Sequence, residues 1–390
     1  MMSKLVPERR FNEFSGEWDK KTFFEVAPLQ RGFDLPTTKI QSGNIPVVYS
    51  NGIVNYHNKA MVKAPGVVTG RSGTIGKFHY IKEDYWPHNT SLWVTDFKLN
   101  NPKFIYYLYQ TIDIDNLATR AGVPTLNRNS VHSYNICLPS IKKEQQKIAN
   151  CLSSLDSLIE AQNKKVETLK AHKKGLMQQL FPSEGETLPK LRFDGFSGEW
   201  EEKSLEEVGD IITGNTPKTN EPNNYGNDIL FVSPADISEH RYIYETNKKL
   251  SYKGFTKTRP IKAKSILVVC IGSTIGKVAQ SKLECATNQQ INSIVPFDDY
   301  CNDFIYSTLE KNAKRIKGMA GNHAVPIINK TAFSGIKVLV PNTKSEQEKI
   351  ANILSSLDTL IEEGNKKIEA LKEHKKGLMQ QLFVSSEVEV

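Results

Sequence analysis

The chain reads as an α+β protein of two β-rich halves, each followed by one long helix. Three observations carry that reading. First, residues 139–181, PSIKKEQQKIANCLSSLDSLIEAQNKKVETLKAHKKGLMQQLF, return 202 positions later as 341–383, PNTKSEQEKIANILSSLDTLIEEGNKKIEALKEHKKGLMQQLF, with about 32 of the 43 aligned positions identical. Second, each copy keeps one spacing of apolar residues throughout. Third, the stretches before each copy are short β-branched and aromatic runs punctuated by Gly, Asn and Pro.

The spacing defines the helices. In the first copy Ile148, Leu152, Leu155, Ile159, Val166, Leu169, Leu176 and Leu180 fall at alternating steps of four and three. In the second the same positions are Ile350, Leu354, Leu357, Ile361, Ile368, Leu371, Leu378 and Leu382. A 3.5-residue period over about five heptads is a coiled-coil seam. At ~1.5 Å per residue each helix is about 60 Å long. The seam breaks at the same two places, Gln162/Gly364 and Lys173/Lys375. Matching breaks are expected if the copies pack on each other or on equivalent partners. Ordinary amphipathic helices in two separate cores are the alternative, but such helices run ~11–12 residues.

Before the helices, four further motifs repeat. Phe14-Ser15-Gly16-Glu17-Trp18 returns as Phe196-Ser197-Gly198-Glu199-Trp200, and its aromatic residues are expected to anchor each domain start in a core. Val47-Val48-Tyr49 and Ile229-Leu230-Phe231-Val232 are short strands. Thr74-Ile75-Gly76-Lys77 matches Thr274-Ile275-Gly276-Lys277, a tight turn with a projecting Lys. It is not a nucleotide-binding loop: Arg71 and Ile271 stand where the first Gly belongs, and Phe78 and Val278 where a hydroxyl belongs. A phosphate-facing turn and a purely structural turn both fit. Phe104-Ile105-Tyr106 and Phe304-Ile305-Tyr306 read as a helix entering the core. Asn101-Pro102-Lys103-Phe104 resembles the Asn-Pro-Pro-Tyr/Phe loop of amino-methyltransferases, but it lacks the second Pro. Residues 343–346, Thr-Lys-Ser-Glu, have capping-box form. The boundaries are a β-rich domain at 1–139, a helix at 140–182, a second β-rich domain at 183–340 and a second helix at 341–390.

The chain has 390 residues, too many for one ordinary core, and a mean hydropathy of −0.43. The longest apolar run, 266–271, is far below the ~20 residues of a membrane span. The N-terminal MMSKLVPERRFNEF has no apolar core, so no signal peptide is expected. Five cysteines form no CxxC pair, which fits reduced packing residues in a cytoplasmic protein, and no His spacing suggests a metal site.

Net charge is +8, and its distribution is more informative than its size. Residues 35–82, 116–143, 246–283 and 311–345 contain no Asp or Glu, so the same two regions of each half are cleared of acids. Such surfaces suit a polyanion. Buried strands, where charge of either sign is rare, are the alternative. The candidate DNA contacts in the first half are Lys39, Lys59, Lys63, Arg71, Ser72, Thr74, Lys77, Arg120 and Arg128. In the second they are Lys248, Lys249, Lys253, Lys257, Arg259, Ser273, Thr274, Lys277, Gln289, Asn322 and His323. An amide such as that of Gln289 can read an adenine edge.

Two variable β-rich halves, each followed by a near-identical helix ending HKKGLMQQLF, resemble the specificity subunit of type I restriction-modification enzymes. The likeness covers essentially the whole chain. It is carried most specifically by Glu144-Gln145 and Glu346-Gln347 after Leu-Pro or Val-Pro, by the STIGK-type turns and by the duplicated helix tails. The resemblance implies two target-recognition domains on an antiparallel coiled-coil spacer with pseudo-twofold symmetry. It implies double-stranded DNA as ligand, with half-sites on the order of one helical turn (~10 bp) apart. It also implies no catalytic residue in this chain, two methyltransferase subunits and restriction subunits as partners, S-adenosylmethionine on the former, and ATP and Mg on the latter. A stand-alone adenine methyltransferase using the Asn101 segment and a coiled-coil scaffold without DNA specificity are the competing readings.

Overall fold

A computed structural model of the chain describes residues 5–119, 124–238, 240–321 and 325–384. In chain order the first half comprises β1 (Asp19–Thr22), α1 (Phe23–Val26), β2 (Leu29–Arg31), β3 (Ile45–Tyr49), β4 (Gly52–His57), β5 (Gly66–Gly70), β6 (Phe78–Ile81), β7 (Trp86–Pro87), β8 (Ser91–Val94), α2 (Pro102–Gln110), β9 (Ala118–Thr119), β10 (Thr125–Leu126), α3 (Arg128–His132), β11 (Asn135–Leu138) and α4 (Lys142–Leu180). The second comprises β12 (Glu201–Ser204), α5 (Leu205–Val208), β13 (Gly209–Thr213), β14 (Tyr225–Val232), β15 (Tyr242–Ile243), β16 (Lys248–Leu250), α6 (Tyr252–Phe255), β17 (Ile266–Val269), β18 (Val278–Ser281), β19 (Cys285–Thr287), β20 (Ile291–Pro296), α7 (Asn302–Met319), α8 (Lys330–Ser334), β21 (Lys337–Val340) and α9 (Lys344–Leu382). Both long helices have 39 residues.

Two compact units form, and each divides the long helices. The first is 1–162 with 367–390; the second is 163–366. Each unit therefore holds one β-rich domain, the start of the helix that follows it, and the end of the other helix.

In the first unit, β2-β8-β5-β6 form an antiparallel sheet, and β4-β3-β7 form a smaller one. Strand β1 pairs antiparallel with β11, so the domain's first strand is hydrogen-bonded to the strand that leads into α4. Helix α2 lies against β5 and β6. Its Phe104 and Ile105 are fully buried, as the shared Phe-Ile-Tyr motif leads one to expect. In the second unit β13-β20-β17-β18-β15 form the larger sheet and β16-β14-β19 the smaller, and β12 pairs with β21 as β1 does with β11.

The repeated motifs meet in three dimensions. In the first unit Trp18, Phe104 and Phe383 form an aromatic cluster with ring centroids 5.5–6.5 Å apart. In the second Trp200, Phe304 and Phe181 do the same at 5.3–5.9 Å. The FSGEW motif, the Phe-Ile-Tyr helix and the LMQQLF tail thus close one core per unit. The tail comes from the helix that does not follow that domain.

Leu382 and Phe383 share their core with Ile148 and Leu152, and Leu180 and Phe181 share theirs with Ile350 and Leu354. Starts meet ends, so the paired helix segments run antiparallel within each unit. All sixteen seam residues expected from the spacing are at least half-buried. The lysine breaks in the seam have partners. Lys375 Nζ lies 2.6 Å from Asp156 of α4, and Lys173 Nζ lies 2.6 Å from both Asp358 of α9 and Glu310 of α7. Those aspartates also hold the adjoining domain. The Tyr107 hydroxyl donates to Asp156 at 2.5 Å, and Arg241 donates to Asp358 at 3.1 Å while also pairing with Asp303 at 2.5 Å.

The start of each helix is fixed by a buried carboxylate. Arg10 donates twice to Glu144, both at 2.8 Å, and Trp18 Nε1 adds a third bond at 3.2 Å. Arg192 does the same to Glu346 at 2.8 and 2.9 Å, with Trp200 Nε1 at 3.4 Å. The capping-box reading of 343–346 therefore gives way: the Glu346 carboxylate is taken by Arg192 and Trp200. The next residue is equally committed. Gln145 accepts from the Asn101 backbone N–H and donates to Pro139 O, and Gln347 accepts from Cys301 N–H and donates to Pro341 O.

Because the Glu346 side chain is only 2% exposed, Arg192→Ala leaves a buried charge unpaired and is expected to cost about 3–5 kcal/mol. Arg192→Met combined with Glu346→Leu is expected to recover most of that loss. Denaturant unfolding midpoints of the single and double variants check this; an Arg192→Ala chain as stable as the parent would contradict it.

Candidate nucleic-acid interface

In each domain the STIGK-type turn joins two antiparallel strands, β5 to β6 and β17 to β18, with no helix following. That geometry agrees with rejecting a nucleotide-binding loop. Glycines make the turn. Gly73 and Gly76 have φ of 84° and 81°, and Gly272 and Gly276 have φ of 99° and 88°, the left-handed region where other residues are strained. A Cβ on Gly70 would sit 1.6 Å from Thr74 O, so the chain folds back on itself there.

Three other segments pack beside this turn in the first unit. Arg71 and Ser72 donate their backbone N–H groups to Thr90 O at 2.8 and 3.2 Å. Gly73 N–H reaches Pro124 O at 3.2 Å, and Leu126 N–H returns to Arg71 O at 2.8 Å. Gly32 N–H donates to Ser91 O at 3.0 Å, which brings in 31–34. Four stretches distant in sequence, 31–34, 71–77, 88–91 and 124–128, thus make one polar platform. On it the Asn89 amide donates to Asp34. That hydrogen bond and the nearby Arg31 hold the Asp34 carboxyl below its ordinary range, so it is charged at neutral pH.

The second unit repeats the construction. Cys270 N–H donates to Gln290 O at 2.8 Å, Gly272 N–H to Pro326 O at 3.0 Å, Ile328 N–H to Cys270 O at 2.8 Å and Gly214 N–H to Ile291 O at 3.1 Å. Here the side chains differ. Thr216 Oγ1 donates to Gln289 Oε1 at 2.6 Å where the first platform has Asp34 and Asn89. Arg259 joins the rim, donating to Thr213 O at 2.7 Å while its backbone N–H reaches Asn215 Oδ1 at 2.9 Å. The two platforms share a backbone and present different donors and acceptors.

The model of the type I restriction modification DNA specificity domain matches residues 15–171 and 197–373. The chain belongs to that family. It is 36% identical over 148 residues to the type I restriction enzyme HindI specificity subunit of Haemophilus influenzae, covering 37% of this chain and 32% of that protein. It is 26% identical over 194 residues to the type I restriction enzyme MjaIX specificity subunit of Methanocaldococcus jannaschii, covering 48% and 45%. The matched stretches therefore span less than half of these curated relatives. Among solved structures, the type-I restriction-modification S subunit from M. genitalium matches in fold with a TM-score of 0.71 at 18% identity, over 97% of this chain and 99% of that one. The family expected from the helix tails and STIGK-type turns, and the two-domain α+β fold with long helices, both hold.

Within this specificity-domain fold the sequence-derived contacts separate into groups. Arg71, Ser72, Thr74, Lys77 and Arg128 lie on the first platform, and Arg259, Ser273, Thr274 and Gln289 on the second. Lys277 is turned toward its own domain, its Nζ donating to Ile237 O at 2.9 Å. Lys39, Lys59, Lys248 and Lys253 are exposed. Arg120, Asn322 and His323 lie outside the described residues. The acid-free windows are free of acids in sequence but not in space. Lys63 pairs with Asp84 at 2.7 Å, Lys249 with Glu245 at 2.9 Å and Lys257 with Glu221 at 2.6 Å, each acid lying just outside a window or far from it.

Asp34, Asn215 and Thr216 were not among the expected contacts. The signal that marks them is modest: Gly32 and Gly214 align, and a Cβ on either would lie 2.2 Å from a neighbouring oxygen, so only Gly lets these segments reach the platform. Asn101 caps α2, its Oδ1 accepting from Phe104 N–H at 2.9 Å. Among the described residues no group of three or more His, Cys, Asp or Glu is placed to hold a metal, and no helix is long and apolar enough to cross a membrane.

Gln289→Ala with Thr216→Val is expected to relax base preference in duplex binding by about 1–3 kcal/mol at the positions this platform meets. Competition binding with duplexes mutated position by position checks this. An unchanged preference at every position would contradict a reading role for these two side chains.

Proposed function

We propose that this chain is the DNA-reading subunit of a type I restriction-modification assembly and has no catalysis of its own. Each β-rich domain reads one part of an interrupted, asymmetric duplex site. The long helices set the gap and carry two methyltransferase subunits; restriction subunits join to complete the nuclease. S-adenosylmethionine, ATP and Mg are the business of those partners.

The observation that carries the proposal is the pair of platforms. The same backbone is built twice, on the same turn and flanking segments, while the polar groups it displays differ, Asp34 with Asn89 against Thr216 with Gln289. A duplicated reader with unlike side chains suits an asymmetric target. The platforms diverge, whereas Arg10/Arg192, Glu144/Glu346 and Asp156/Asp358 recur unchanged, as expected where the helices serve both halves alike. The use of Asn101 as a helix cap supports this reading over a methyltransferase built on that segment.

Sequencing methylated adenines in the host with and without the gene is the direct test. Two short specific blocks separated by unread bases are expected, and they disappear when the chain is removed. Exchanging residues 183–340 for those of a relative is expected to alter one block only. Inserting one heptad within 142–181 is expected to lengthen the gap or abolish recognition. A single continuous site would overturn the two-reader proposal.

A further inference from the structure

One difference between the two domains is the length of the helix after the last strand of the main sheet. Both helices start at the aligned Phe-Ile-Tyr, yet α2 has 9 residues and α7 has 18. Sequence explains the difference. Beyond the aligned point the first domain continues Thr111-Ile112-Asp113-Ile114-Asp115-Asn116, residues with low helix preference, and turns into a 3₁₀ segment, Ile114–Leu117. The second continues Lys311-Asn312-Ala313-Lys314-Arg315-Ile316-Lys317, mostly good helix formers, with Ile316 fully buried as an anchor. The consequence is electrostatic. The extension carries four cations and no acid, where the first domain has two aspartates and no cation.

The extension lies against the candidate interface. A Cβ on Gly276, in the STIGK-type turn, would stand 2.6 Å from Ala313 O and 3.3 Å from Lys317 Cβ, so the C-terminal half of α7 packs directly on that loop. Arg315 is held in place, donating to Lys337 O at 2.5 Å and to Asn312 Oδ1 at 3.1 Å. Lys314 and Lys317 are exposed. Among the described residues no carboxylate forms an ion pair with Lys311, Lys314, Arg315 or Lys317, unlike Lys249 and Lys257 in the same domain. Favourable interaction with the helix C-terminus gives such cations a local role. It does not explain why they stand uncompensated beside the STIGK-type turn.

We propose that the basic end of α7 is a contact to the phosphate backbone of duplex DNA which the second domain has and the first lacks. Ion neutralisation therefore holds the second domain's half-site more strongly than the first's. This rests on the DNA-reading function proposed above. The bases read are unaffected, because phosphate contacts position a reader without informing it.

The test uses the chain assembled with its methyltransferase subunits and a duplex carrying the site defined by host methylation. Affinity is measured across salt concentration for the parent and for Lys314→Gln/Lys317→Gln. With each phosphate contact adding ~0.9 to the slope of log K against log salt, the variant slope is expected to be about two shallower. Affinity near 0.1 M salt is expected to fall roughly 10- to 100-fold, while base preference and thermal midpoint stay unchanged. In the parent, a duplex with the first half-site scrambled is expected to retain a steeper salt slope than one with the second scrambled. A variant that binds its site with the parental slope overturns this inference and leaves the DNA-reading function standing. A variant whose only defect is loss of the methyltransferase subunits also overturns it, by making the surface a protein contact. A parent assembly with no preference for any duplex removes the function itself.

Discussion

Each long helix begins by burying a charge, and the rest of the fold depends on how that charge is neutralised. Glu144 and Glu346 sit in the first turn of their helices and are almost completely enclosed. An isolated carboxylate there would be prohibitive; it is tolerated because Arg10 or Arg192 meets both oxygens and a Trp N–H adds a third bond. The Arg and Trp come from the segment that opens the domain, and the Glu from the segment that leaves it. One ion pair therefore ties together residues 134 or 154 positions apart, beside the β1–β11 or β12–β21 ladder that does the same through backbone. The recognition loops hang between points fixed by this cluster.

The second device is the lysine in an otherwise apolar seam. Burying Lys173 or Lys375 is tolerated because Asp358 or Asp156 faces it on the adjacent helix, with Glu310 of α7 a second partner for Lys173. Displacing the helices by one heptad would take Asp156 from Lys375 and Asp358 from Lys173, so the pairs specify register at some expense in packing. The same aspartates accept from Tyr107 or Arg241, which links helix register to domain position. Different residues perform that link in the two units, although the aspartate is identical.

Helix positions, the seam and the aromatic anchors were legible in the sequence because periodicity and repetition report local structure and shared environment directly. The partners of the seam lysines were not, because Asp156 and Asp358 stand one position beyond seam residues and meet their lysines only after the chain folds back. The platforms were half legible. Their STIGK-type turn is a repeated motif, but 31–34 and 213–216 join it through backbone hydrogen bonds that leave no side-chain pattern. Charge was the least reliable guide, since Asp84, Glu221 and Glu245 return to lysines in stretches that look acid-free along the chain.

The exchange of helix ends bears on synthesis. The first core is closed by Leu382 and Phe383, with Arg9 N–H bonded to Gln381 O at 2.9 Å. A ribosome that has completed the first domain has yet to make more than half of the polypeptide before those residues emerge. The earlier-made domain must wait, with Trp18 and Phe104 partly uncovered, while the later one can close on Phe181 as soon as its own strands exist. Order of manufacture and order of completion are reversed, so the transient exposure of apolar surface falls on the nascent first half.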